Sequence, residues 1–326
     1  MSLLALPIVL IAAAQTPEPI FRFETDELWL NLHHYLYVLG RAEARMPDAS
    51  SAAVAGAPAD EKAGLETLSE EERAAWRDAV AFYAAGPSRK DLVFDETLAR
   101  LTRALADTDE SASLASAGID AALAAQLERA APLYRKAWWP AHHGSNRARH
   151  SEIQALVDRH GRAVLDFITA KYALAWPAGG YPVHFSAFSN WAGAYSATVG
   201  ESNVLVLSSR AADGAGSLGL ETVFHEGMHQ WDSQVFQLLR EHARRLDRRV
   251  PANLTHGLIW VTAAEAVRRV IPGHKPLAEV AGIWQRGMAV FKEPLEQTWK
   301  PYLDGRGTRD EALAALIAKT ATQPRQ

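Results

Sequence analysis

Residues 181–209, YPVHFSAFSNWAGAYSATVGESNVLVLSS, come shortly before residues 217–232, SLGLETVFHEGMHQWD, and this change of pattern decides the fold. The first segment is rich in β-branched and aromatic residues, and Gly-Glu-Ser-Asn at 200–203 interrupts it, which predicts short strands with a hairpin. From Ser217 an apolar pattern of helical period continues to about Arg248 and predicts one long helix. The sequence therefore predicts an α+β fold that is mostly α, with a small sheet before a long helix.

The predicted long helix contains His225-Glu226-Gly227-Met228-His229, an HExxH pattern. Residues four apart lie on one face of a helix, so the imidazoles of His225 and His229 can bind one ion. Glu226 lies one step around the helix, beside the ion rather than on it. A zinc ion with three protein ligands keeps a fourth position for water and lowers the pKa of that water towards about 7. Glu226 is therefore a candidate general base.

The motif and its surroundings resemble the gluzincin metallopeptidases, and the Gln-Trp that follows His229 is similar to the aminopeptidase N type. In that family a Gly-Ala-Met-Glu-Asn strand lies about thirty residues upstream and runs along the substrate. Gly193, Ala194 and Tyr195 occupy the corresponding place here, and the resemblance implies that they bind substrate. Ser196 stands where the family has a glutamate for the substrate amine, and Arg248 stands where it has its third zinc ligand. The resemblance therefore extends to the zincin superfamily rather than to the aminopeptidases.

The third zinc ligand has two candidates in the sequence. Glu265 lies 36 residues beyond the motif, in line with an apolar stripe of the next predicted helix, and a buried carboxylate needs a partner such as a metal. Arg268 or Arg269 is the alternative partner for that carboxylate. The rival ligand is His256, which stands just before the same helix and is also a candidate donor to the transition-state oxyanion. We expect Glu265 to be the ligand.

Other residues have supporting roles in this interpretation. Asp232 follows His229 by three residues and shares its helical face, so it is a candidate to accept a proton from that imidazole or to bind a nearby cation; an ordinary exposed side chain is the alternative. Tyr195 and Tyr302 are weaker candidates for stabilising the oxyanion than His256.

Composition narrows the classes of function. The chain of 326 residues has no cysteine, which excludes disulfides, cysteine-ligated metals and thiol nucleophiles, and any metal must be bound by carboxylates or the twelve histidines. A formal net charge of −4 gives no basic field for nucleic acid. The expected partner is therefore a peptide or protein substrate, with no nucleic acid.

The chain divides into three predicted regions. Residues 3–14 are apolar and end in small residues, like a secretory signal peptide, so residues 1–14 are assigned as a signal and the protein as periplasmic or secreted, without stable membrane insertion after cleavage. Residues 20–150 form a helical N-terminal region, and residues 151–326 a zincin-like metallopeptidase region.

The first half of the chain contains several segments with a helical pattern, separated by turn and loop signals. Ser69 and Glu72 resemble a capping box that opens a helix through Ala84. Residues 48–66 carry no periodic apolar face and are predicted to form a loop. Helical patterns are also present at residues 24–45, 90–106, 117–137 and 147–174, with interruptions at Pro140 and Gly144.

The predicted function is that of a zinc-dependent hydrolase, a metallopeptidase in which Glu226 activates water. The alternative is a zincin scaffold without turnover that binds a metal or a partner.

Overall fold

The computed structural model describes residues 18–320. The described chain contains four strands: β1 (Phe21–Glu24), β2 (Tyr181–Ser186), β3 (Ala194–Val199) and β4 (Ser202–Ser208). Its helices are α1 (Leu28–Glu43), α2 (Ala57–Leu65), α3 (Glu70–Ala85), α4 (Glu96–Ala106), α5 (Ala121–Ala137), α6 (Trp139–Leu156), α7 (Arg162–Tyr172), α8 (Gly216–Met228), α9 (Asp232–Arg245), α10 (Leu254–Val270), α11 (Leu277–Val280), α12 (Ala289–Leu303) and α13 (Arg309–Thr320). The predicted mostly helical α+β class is confirmed.

The four strands form one sheet in the order β1-β2-β4-β3. Strands β1, β2 and β4 are parallel, and β3 runs antiparallel to β4 at the edge, with Tyr195 opposite Val206. The turn between β3 and β4 contains Gly200 at φ +62°, a conformation that glycine adopts without strain. The hairpin predicted at this position is confirmed.

Alternation along the strands gives the sheet two apolar faces. On one face, Val183 of β2 and Leu205 of β4 belong to the same buried cluster as Phe224 of α8. On the other face, Tyr195 and Val206 belong to a cluster formed mainly by the N-terminal helices α1 to α5. The sheet therefore lies between the N-terminal helices and the helix that carries the HExxH pattern.

The N-terminal region is joined to the rest of the chain through this sheet. Strand β1 pairs with β2, and α6 runs across the position at which the sequence divides at residue 150. The capping box of α3 is confirmed. The Ser69 hydroxyl accepts from the backbone N–H of Glu72, and the Glu72 carboxylate accepts from the backbone N–H of Ser69. The predicted signal peptide lies outside the described residues. Within residues 18–320, no helix combines the length and the apolar character needed to cross a membrane.

Residues 48–66 are the first departure from the prediction. They form a 3-10 turn, Pro47–Ser50, and then helix α2. The buried residues of α2 are Ala57 and Gly64, and a Cβ added at Gly64 would meet the Trp138 indole nitrogen at 2.0 Å. Such small residues let the helix pack closely, but they produce no visible apolar stripe, which explains why a loop was predicted.

The interruption predicted at Pro140 lies two residues earlier, at Trp138 between α5 and α6, and the interruption predicted at Gly144 is absent. Pro140 lies in the first turn of α6, where its missing N–H has no helical partner to lose, and the helix continues through Gly144.

The predicted long helix from Ser217 to Arg248 is also broken, at a 3-10 turn that covers His229–Trp231 between α8 and α9. The Gln230 side-chain amide donates to the Gly227 carbonyl at 2.8 Å, the acceptor that the Trp231 N–H would use in a continuous α-helix. The Trp231 indole donates to the Ala175 carbonyl at 3.1 Å. These bonds accompany the break in α-helical hydrogen bonding at the end of the motif.

Candidate metal centre

Helix α8 is buried from Gly219 to Met228, so its last turns have no solvent-facing side. The glycine inside the motif permits this packing: a Cβ added at Gly227 would lie 2.6 Å from the Trp176 ring. Trp176 in turn makes edge contacts with Phe21 and Trp231. The helix is therefore tightly packed around Gly227, between the two histidines of the motif.

His225, His229 and His256 converge on one point. Each offers one ring nitrogen, and these three atoms lie within 4.8 Å of one another, so the group could hold a metal ion. The Nε2 atoms of His225 and His256 are 3.0 Å apart. His256 belongs to the first turn of α10, which packs against α8. The group thus combines two residues of the motif with one that is 27 positions further along the chain.

The protonation states suit metal binding. Burial lowers the pKa of His225 well below its usual value, and the neighbouring imidazoles of His256 and His229 lower it further. Burial and the proximity of His229 lower the pKa of His256 to about 3. Both rings are therefore neutral at physiological pH and keep the lone pairs that a metal requires.

Asp232 is hydrogen-bonded to His229, the second histidine of the motif. The Nδ1–H of His229 donates to Oδ2 of Asp232 at 2.8 Å, so Nε2 is the nitrogen of His229 that is left for a metal. Burial alone lowers the pKa of His229, but the bond to Asp232 and the charge of Glu226 outweigh burial and raise it. A carboxylate in this position fixes the tautomer and orientation of a ligating histidine.

Glu226 follows His225 directly in the chain and is a buried carboxyl, with 8% of its surface exposed, close enough to His229 for the two charges to interact. Burial raises its pKa to about 7; the positive charge of His229 opposes this shift and Asp232 adds to it. A carboxyl group with a pKa near neutrality can accept and release a proton at working pH, as a general base and acid must.

The prediction that Glu265 is the third ligand is corrected by the structure. Glu265 follows His256 by nine residues on α10, which corresponds to about 13 Å along a helix axis. Its carboxylate instead pairs with Lys300 at 3.0 Å, Arg268 at 3.5 Å and Arg269 at 3.8 Å. The buried charge therefore has cationic partners, the alternative that the sequence left open, and His256 is the residue that lies with His225 and His229.

Neither tyrosine proposed for the oxyanion lies at the histidine group. The Tyr195 hydroxyl bonds to Nε2 of His34 at 2.8 Å and lies 3.3 Å from the Thr102 hydroxyl, on the sheet face away from α8. The Tyr302 hydroxyl donates to the Lys171 carbonyl at 2.8 Å. Neither of these weaker oxyanion candidates is therefore supported by the structure. The Tyr195 side chain is also turned away from the side of the sheet on which a substrate at the histidine group would lie.

The rest of the predicted substrate strand does approach α8. Gly193 directly precedes β3, and its carbonyl accepts from the Ser208 N–H at 2.8 Å. Ala194 is the first residue of β3 and lies in the same apolar cluster as the α8 residues. Because β3 is an edge strand, its outer backbone groups face away from the sheet.

Trp260 was not predicted from the sequence as part of the site. Its ring lies against His225, with 3.7 Å between ring centroids. The only sequence signal was its position four residues after His256 on an apolar helix, which is equally typical of an ordinary core residue.

Comparison of the chain with protein-family models, with curated proteins and with solved structures gave no match.

Proposed function

We propose that this protein is a zinc-dependent hydrolase that cleaves peptide bonds. In this proposal His225, His229 and His256 hold the zinc ion, and Glu226 is the general base. The observation that carries the proposal is the convergence of three imidazole nitrogens within 4.8 Å of one another, with the buried Glu226 carboxyl in electrostatic contact with one of them, His229.

The donor set supports zinc as the metal. Three imidazoles with no cysteine and no carboxylate form a set that zinc favours, and a site with three protein ligands leaves one position open for catalysis. Two nitrogens bound to one tetrahedral zinc at about 2.0–2.1 Å lie about 3.3 Å apart. Nε2 of His225 and Nε2 of His256 are 3.0 Å apart, so these two rings need to separate by only a few tenths of an ångström, while all three nitrogens lie within 4.8 Å of one another.

The chemistry of hydrolysis is divided between the metal and Glu226. When bound, zinc polarises the carbonyl of the substrate and lowers the pKa of water at the site. Glu226, with a pKa of about 7, takes a proton from the attacking water and passes it to the nitrogen of the leaving amine. Asp232 keeps His229 in the tautomer that presents Nε2.

The position of β3 favours a peptide as the substrate. An extended peptide can pair with the backbone of an edge strand, which gives affinity without selecting a sequence. Strand β3 is such an edge and packs against α8, which carries the base. Together with the motif, this arrangement resembles a zincin peptidase in which a histidine replaces the glutamate ligand.

The decisive experiment compares wild type with Glu226→Gln. Both proteins are expected to bind one zinc ion, and the variant should lose about 10²–10⁴-fold in peptide cleavage because a general base is removed. Glu265→Gln is the matched control, since it removes another buried carboxylate that lies in ion pairs. Zinc binding without any cleavage of a peptide library by wild type would instead indicate the scaffold without turnover.

We also propose that the protein is periplasmic or secreted. The apolar residues 3–14 support export through a signal peptide. N-terminal sequencing of protein from a native host is expected to begin after residue 14, and an uncleaved cytoplasmic product would contradict the proposal.

A further inference from the structure

The three histidines of the metal centre are not supported in the same way. The Nδ1–H of His229 is bound to Asp232, which fixes the orientation of that ring. Nδ1 of His225 is buried and makes no hydrogen bond within the described residues. Nε2 of His225 meets Nε2 of His256 at 3.0 Å, but both of these atoms would face the metal, so a metal-bound His225 keeps no hydrogen bond to fix its rotation about χ2 and needs another restraint.

Trp260 provides the closest aromatic contact to His225. The two ring centroids are 3.7 Å apart and the planes are inclined by 32°. For comparison, the centroids of His225 and His256 are 5.0 Å apart, and those of His225 and His229 are 5.1 Å apart. Trp260 is 7% exposed, so it also closes this side of the ring to water.

The indole is held by its helix rather than by a hydrogen bond. Its Nε1 is buried without a partner within residues 18–320. Trp260 lies one turn after His256 on α10, so one helix supplies both the proposed ligand His256 and the ring that covers His225. The orientation of His225 and the position of His256 therefore depend on the same packing of α10 against α8.

From this contact we propose that Trp260 is a positioning residue, which holds the His225 imidazole in its metal-binding orientation in place of the missing hydrogen bond. This inference rests on the proposed zinc site. The face of an indole is electron-rich and attracts a positively charged group. An imidazole that donates its lone pair to a cation becomes more positive, so the stacking favours the metal-bound form.

The test measures zinc affinity of the full chain by competition with a chromogenic chelator. Trp260→Leu removes the aromatic face and should weaken zinc binding about 10-fold or more, the loss typical when a group that orients a ligand is removed. Trp260→Phe keeps an aromatic face and should restore most of the affinity. In the cobalt-substituted proteins, the visible absorption bands should change in Trp260→Leu and return in Trp260→Phe.

Trp299→Leu is the matched control for the loss of a buried indole. Trp299 is fully buried in the same core, and its N–H donates to the hydroxyl of Thr262 on α10 at 2.8 Å. The variant should keep the zinc affinity and cobalt spectrum of wild type. Equal weakening by both leucine variants, or wild-type affinity in Trp260→Leu, would overturn the proposal.

A fluorescence measurement covers the case in which Trp260→Leu does not fold. The zinc-induced change in tryptophan emission of wild type should be largely lost in Trp260→Phe and retained in Trp299→Phe. The same zinc-induced change in wild type and Trp260→Phe would reject the contact. A wild-type protein that binds no zinc would refute the metal site itself, whereas zinc binding that is indifferent to Trp260 refutes only the positioning role.

Discussion

Replacing His256 by alanine tests the composition of the metal site most directly. The change removes the ligand that lies outside the HExxH pattern and leaves His225, His229 and Glu226 in place. A four-ligand zinc site binds with about 10–16 kcal/mol, so one ligand contributes about 3–4 kcal/mol. Because about 1.4 kcal/mol corresponds to a tenfold change in affinity, His256→Ala should weaken zinc binding by about 10²–10³-fold.

The same loss should be visible in thermal or denaturant unfolding. A ligand present at 1,000 times its Kd stabilises the native state by about 4 kcal/mol. If the Kd rises 10³-fold at the same zinc concentration, the stabilisation falls below about 1 kcal/mol. Chelator competition and zinc-dependent unfolding therefore give two independent measurements of one change.

Two control variants make the result interpretable. His242→Ala removes a buried histidine of α9 that pairs with Asp310 at 3.0 Å, outside the histidine group. Glu265→Gln removes the carboxylate that the sequence favoured as a ligand. Both controls should bind zinc like wild type. If Glu265→Gln weakens binding by two orders of magnitude while His256→Ala does not, the assignment of the third ligand is refuted.

Two further predictions concern carboxylates. Asp232→Asn should weaken zinc binding about 10-fold, because the carboxylate no longer fixes the His229 tautomer; chelator competition checks this, and unchanged affinity would contradict it. Burial alone raises the pKa of Asp60, but hydrogen bonds from His142 and Arg210 outweigh burial and lower it to about 2, compared with 3.8 in the unfolded chain. Ionised Asp60 therefore stabilises the fold above pH 4, and this contribution is lost as the pH falls through 2. Allowing for solvent screening, the loss is about 1 kcal/mol, and urea unfolding at pH 4.5 and 2.5 should show a smaller pH dependence for Asp60→Asn than for wild type.

The sequence predicts local structure well where apolar periodicity is strong. The strand segment before the motif, its hairpin at Gly200 and the capping box of α3 are all present in the structure. Residues 48–66 were misassigned because Ala57 and Gly64 pack through close backbone approach, which periodicity of large apolar residues does not detect. The break after α8 was missed because it depends on the Gln230 side chain, while the apolar pattern runs on without interruption.

The third ligand could not be predicted because its choice depends on tertiary packing. The sequence argument required a partner for the buried charge of Glu265, and this requirement is met by Lys300 on α12 and by two arginines of α10 itself. Spacing along the chain does not show which turn of α10 approaches α8. The 3.0 Å distance between Nε2 of His225 and Nε2 of His256 shows that it is the first turn.

The two halves of the site therefore have different origins. The end of α8 and the first residue of the 3-10 turn bring two proposed ligands and the proposed base together within five consecutive residues, and the local backbone fixes their relative positions. Helix α10 brings the third ligand, His256, and the ring of Trp260 within one turn, and only packing against α8 places them. A metal held by both helices would couple its affinity to that packing, so a substitution in the α8–α10 interface can weaken metal binding without touching a ligand.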